Sequence, residues 1–119
     1  MLLLNPKEET VWKEHEESGA SFLIAPADSA TQNDIEARAK KAHTEQGGEY
    51  FSHLARITAT ERIKDWKGVG SQAGVLPCTP DNLASLARAH ENTLMPWLIR
   101  EVRDLAHFIA DEETAAKNA

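Results

Sequence analysis

The chain has 119 residues, a length that suits one domain with a modest but real core. Its 19 acidic side chains outnumber 13 basic ones, for a formal net charge of -6, and Lys40-Lys41 is its only adjacent basic pair. Binding a nucleic-acid duplex takes clustered Lys and Arg to displace counterions from phosphates, so DNA or RNA is excluded as the main partner.

The opening MLLLNP has only four apolar residues and no basic segment ahead of them. That is too short for a signal peptide or a membrane span. The lone cysteine, Cys78, can form neither an internal disulfide nor a multi-thiolate zinc site. These features predict a cytoplasmic protein with no membrane partner, metal or cofactor.

Thr10 to His15 (TVWKEH) has β-formers near its start, Glu17-Ser18-Gly19-Ala20 is a turn signal, and Ser21 to Ala25 (SFLIA) is a short apolar run. Two runs around a glycine turn predict a β-hairpin. The first run is too charged for a central strand, so it belongs at an edge or faces water. Pro26 closes the hairpin. Asp28 or Ser29 can cap the helix that follows, and Ser29 with Gln32 has capping-box spacing.

Ala30 to about His43 predicts a helix with a thin apolar face of Ile35, Ala39 and Ala42, suited to the surface of the core. Gly47-Gly48 ends it. A second helix is predicted from about Glu49, with Tyr50, Leu54 and Ile57 at helical spacing and Phe51 beside them. Thr58 and Thr60 loosen it. It either continues through Ile63 to Trp66 or restarts after a small break. Ile63 and Trp66 are three apart and face the core either way.

The stretch KDWKGVGSQAGVLPCTPDNL holds Trp66, Gly68, Gly70, Gly74 and Cys78. Its glycines are spaced GxGxxxG, a helix precedes them, and no Gly-Lys-Ser/Thr follows. A phosphate loop needs a strand before it and a helix directly after, so the stretch reads as a turn or hairpin loop. Thr79 suits a helix cap, Pro80 the first helical position and Asp81 the positive dipole end. Leu83, Leu86, Ala87 and His90 form that helix's stripe. Cys78 stands just before the helix, a position that can lower a thiol pKa. With no base nearby in sequence, and His90 at the far end of the helix, it reads as a small residue plugging the helix start.

The last helix is predicted to start after Asn92 or Thr93, with Pro96 in its first turn, where proline is tolerated. Met95, Leu98, Val102, Leu105 and Ile109 recur at helical spacing, and Trp97, Ile99 and Phe108 widen the stripe. The stripe is either the core face alone or also a surface for a partner, and self-association stays open; two heptads are too few for a stand-alone coiled coil. Beyond Ala110 the sequence is polar. The predicted fold is therefore α+β, mainly helical: an N-terminal β-hairpin followed by about four helices, with a Gly-rich turn between the second and third. One globular domain spans 1–110, and 111–119 form a polar, frayed tail.

No catalytic, cofactor or metal residue can be nominated. The histidines make neither HxxxH nor HExxH, and the carboxylates sit in runs typical of solvated faces. Trp66 reads as a core anchor. Trp12 and Trp97, with Leu98, Val102, Leu105 and Ile109, are the candidate partner-binding residues, because tryptophan is enriched at interface hot spots.

One segment goes further. Ile63-Lys-Asp-Trp66-Lys-Gly68-Val69, then Gly74, then Leu76-Pro77-Cys78-Thr79-Pro80-Asp81-Asn82-Leu83 resembles the small tail assembly chaperones of long-tailed (siphovirus-type) bacteriophages. Trp66, Gly68, Gly74, Pro77, Thr79 and Pro80 carry the likeness. The motif covers residues 63–83, and the order of predicted elements is similar over about residues 20–110. The chain departs from the family pattern in lacking acidic residues between Gly70 and Gly74, and in its charged first strand. The resemblance implies a non-enzymatic chaperone that binds the tape-measure protein, keeps its helices soluble and helps recruit tail-tube subunits. Such a protein would work in the host bacterial cytoplasm and be missing from the mature virion. The competing expectations are a structural tail or head–tail connector component of the virion, and a small thiol-dependent enzyme using Cys78.

Overall fold

The computed structural model describes the backbone of residues 9–118 and the side chains of residues 9–106. In chain order the elements are β1 (Val11–His15), β2 (Ala20–Ile24), α1 (Ser29–Gln46), α2 (Tyr50–Arg62), β3 (Ile63–Lys67), β4 (Gly70–Ser71), β5 (Gly74–Val75), α3 (Pro80–Ala89) and α4 (Met95–Asn118). The fold is α+β and mainly helical, with the N-terminal hairpin in place. The backbone of α4 is helical across 111–118, the segment the sequence marks as a polar tail.

One element differs in kind. Ile63 to Lys67 neither continues α2 nor restarts a helix; it is the third strand of an antiparallel sheet ordered β1-β2-β3. α2 stops at Arg62, Ile63 is already extended at φ -92, ψ 119, and the chain enters β3 without a loop. The register explains why the segment looks helical in sequence. Ile24 faces Ile63 and Phe22 faces Trp66, with a shift between Leu23 and Ile24 that makes Lys64 an extra residue. In a regular strand, residues three apart point to opposite faces. The bulge at Lys64 turns both Ile63 and Trp66 inward, and so mimics helical spacing.

β1 is an edge strand, as its charge leads one to expect. Ala20, Phe22, Ile24, Ile63 and Trp66 form the inner face of the sheet, buried against the helices together with Met95, Leu98 and Val102. The outer face carries cross-strand rows of Trp12, Leu23 and Asp65, and of Glu14, Ser21 and Lys67.

The pair α1–α2 has its own small core of Ile35, Ala39, Leu54 and Ile57. Of the two candidate caps of α1, Asp28 is the one used: its carboxylate accepts from Thr31 N–H at 2.8 Å. That bond holds the Asp28 carboxyl below its ordinary value.

Arg38 of α1 grips Glu61 of α2 with both guanidinium nitrogens, Nη2 donating to Oε1 at 2.7 Å, and also bonds Asp34 one turn back. The bonds from Arg38 hold the Glu61 carboxyl below its ordinary value. A lowered folded-state pKa means the stabilisation is full above the unfolded-state pKa and is lost as pH falls through the folded one. Both side chains are more than one-third exposed, so the pair is screened. Glu61→Gln should cost about 0.5–1 kcal/mol at pH 7, and the gap from the parent should close in acid. Urea unfolding of both proteins across pH 7 to 3 checks this.

Thr58 is 1% exposed, and its hydroxyl has no hydrogen-bond partner among the described residues. A buried hydroxyl without a partner is destabilising relative to a methyl of the same shape. Thr58→Val should therefore raise the unfolding free energy by about 1 kcal/mol, seen as a higher urea midpoint at unchanged slope.

Candidate functional site

The signature segment is built around Trp66. Its ring is 6% exposed, and its indole N–H donates to the Leu76 carbonyl at 2.8 Å. Leu76 N–H donates in turn to Val69 O at 3.1 Å, so the chain leaving β3 returns to it. Between them β4 and β5 form a minimal hairpin, with Gly70 opposite Val75 and Ser71 opposite Gly74. Gly68 has φ +76, and a Cβ there would press on the Ala20 backbone at 3.4 Å. At Gly70 a Cβ would meet Gly74 O at 2.7 Å, which only glycine avoids. The glycines thus serve a close chain reversal.

Thr79 caps α3, its hydroxyl accepting from Asn82 N–H at 3.2 Å, with Pro80 in the first turn. Asn82 Nδ2 also donates to Pro77 O at 2.9 Å, fixing the entry to the helix. Cys78 is half-buried here. Burial and the negative charge of Asp65 push its thiol above the ordinary value, the opposite of what a thiolate nucleophile requires.

The candidate partner-binding residues do not form one surface. Leu98 and Val102 are fully buried, so they are core residues and cannot meet a partner in the folded protein. Leu105 is half-buried against the same core. Trp97 is half-buried too, edge-on to the His15 ring at 5.0 Å and tilted against Phe22 at 6.1 Å. Trp12 is 40% exposed on the outer sheet face, with the Lys67 ammonium 4.4 Å from its ring centre. Ile109 lies outside the residues whose side chains are described.

A cleft of about 340 Å³ that no sequence pattern announces lies at the open end of the sheet. The β1–β2 turn, the Gly68–Gly70 loop, the last turn of α3 and the Thr93–Leu94 connection enclose it. Phe22, Val69, Leu86 and Leu94 give it apolar walls, and His15 and His90, 75 positions apart in sequence, both line it. On the far side of the turn a second cleft shares His15, Glu17 and Thr93, and is flanked by Glu14, Glu16 and Trp97.

His15 is 7% exposed, and its Nδ1 lies 2.8 Å from Ser18 Oγ. Ser18 Oγ accepts from Ala20 N–H and donates to the His15 carbonyl. These contacts hold the His15 ring against the turn. In sequence His90 is only the last residue of the α3 stripe and His15 only the end of a hairpin strand, and a hairpin end does not reveal which loop it faces.

Among the described residues no cluster of three or more His, Cys, Asp or Glu could hold a metal ion, and no helix is long and apolar enough to cross a membrane. No family model, no curated protein and no solved structure matches this chain.

Proposed function

We propose that this chain is a non-enzymatic tail assembly chaperone of a long-tailed bacteriophage, which binds the tape-measure protein and helps recruit tail-tube subunits in the host cytoplasm. The observation that carries the reading is the signature segment itself. Trp66, Gly68, Thr79 and Pro80 act together as one device: a Trp-anchored reversal followed by a capped helix start. Motif residues used this way make a scaffold that positions α3 and α4, which is what a protein working by surface and shape needs. The raised thiol of Cys78 favours this reading over a thiol-dependent enzyme. A net charge of -6 would keep the chaperone itself soluble while it holds an apolar client.

The competing role, a structural tail or connector component, differs in where the protein ends up. Quantitative mass spectrometry of purified particles should find it absent or far below the copy number of tail-tube subunits. A fixed stoichiometric copy number in the virion would replace the chaperone reading with the structural one.

A further inference from the structure

We infer that the double cleft around the β1–β2 turn is a docking groove for a basic amphipathic helix of a partner protein. An apolar side chain of that helix sits on the half-buried Val69 and Leu86, and its Lys or Arg neighbours meet the carboxylates of the turn. Three observations converge on this occupant.

The first is shape. A cleft of about 340 Å³ opens beside a second of about 460 Å³, and the two share His15, Glu17 and Thr93, so they form one trough across the turn. The second is charge. The second cleft is lined by four carboxylates, Glu14, Glu16, Glu17 and Glu101, against two cations, Lys13 and Arg100, and Lys13 is drawn to Glu101 at 4.0 Å. Glu16 and Glu17 are exposed, and the excess is negative. The third is the hydrogen-bonding polarity of the floor. His15 is more than nine-tenths buried with its Nδ1 engaged by Ser18, and the carboxylates of Glu14, Glu16, Glu17 and Glu101 beside it offer acceptor oxygens. Acceptor oxygens call for donors, and Lys and Arg bring donors on apolar stems that can lie along the half-buried Trp97. A helix that lays an apolar stripe in a groove, with charges on the rim, meets all three conditions.

The groove deepens the chaperone reading by naming where and how a client helix is held, and only the identity of the partner rests on that reading. The test uses the full-length protein and no phage component, so its failure leaves the chaperone role to its own experiments. Isotope-labelled protein is titrated with a Leu/Lys amphipathic helical peptide of about four turns, and with a Leu/Glu peptide of the same pattern. The Leu/Lys peptide should shift Val69, Leu86, Leu94 and the Trp97 indole, and the Leu/Glu peptide should not bind.

Charge reversal of the exposed turn by Glu16→Lys with Glu17→Lys should weaken binding by about tenfold or more. The same charge change at the α1–α2 connection, Glu45→Lys with Glu49→Lys, should weaken it by less than about twofold. Leu86→Glu, which puts a carboxylate in the apolar wall, should also abolish the Val69 and Leu94 shifts. The inference is overturned if the two charge reversals weaken binding equally, if the shifts fall around Trp12, if both peptides bind alike, or if neither binds. Concentration-dependent shifts of the same residues without peptide would assign the groove to a second copy and overturn it as well.

Discussion

Trp66→Ala should lower the unfolding free energy by about 3–5 kcal/mol, the largest effect expected of any substitution in the signature segment. Two losses combine. The ring is almost wholly buried between β2 and the helices, so its removal opens a cavity at the centre of the main core. The indole also holds the Leu76 carbonyl, which ties the returning arm of the β4–β5 hairpin to β3. Trp66→Phe separates them: it keeps much of the packing and drops the hydrogen bond, so it should cost about 1–2 kcal/mol. Urea unfolding followed by far-UV circular dichroism measures both. Equal losses in the two variants would show that the hydrogen bond, not the ring volume, is the main contribution.

Leu98→Ala should cost about 2–5 kcal/mol, and Trp12→Ala less than about 1 kcal/mol. The contrast follows from where the chain puts two residues that sequence alone nominates alike. Leu98 is fully buried beneath the sheet with Met95 and Val102, whereas Trp12 stands on the outer face, 40% exposed, opposite Leu23 and beside the Lys67 ammonium. A binding defect in Leu98→Ala would therefore report unfolding, and Trp12→Ala is the variant that tests the outer face as a contact surface. The same urea titrations decide the matter. A small effect at Leu98 would mean that α4 is not the floor of the core.

Much of the architecture is legible in the residues, for identifiable reasons. The Thr79-Pro80-Asp81 start of α3 is local chemistry, in which one hydroxyl and one proline suffice, and it appears as read. The edge position of β1 follows from charge, and the thin buried face of α1 follows from Ile35, Ala39 and Ala42 alone. β3 fails because its helical spacing comes from a bulge, and a bulge is decided by the partner strand β2, not by the segment itself.

Leu98 and Val102 prove to be core residues for a related reason. The periodicity of α4 marks Leu98, Val102 and Leu105 as apolar but cannot say whether the sheet or a partner covers them. The cleft is hidden because His15, Val69, Leu86 and Leu94 come from four separate places in the chain.

The proposed chaperone role makes one prediction that no property of the isolated fold can imitate. A phage tape-measure protein, if one is encoded beside this gene, should be produced in bacteria with and without the chain, and its soluble fraction measured after lysis. The account predicts that co-expression moves the tape-measure protein from the pellet to the supernatant and that the two proteins co-purify. An unchanged soluble fraction with no co-purification, while this protein itself is folded and abundant, would contradict it.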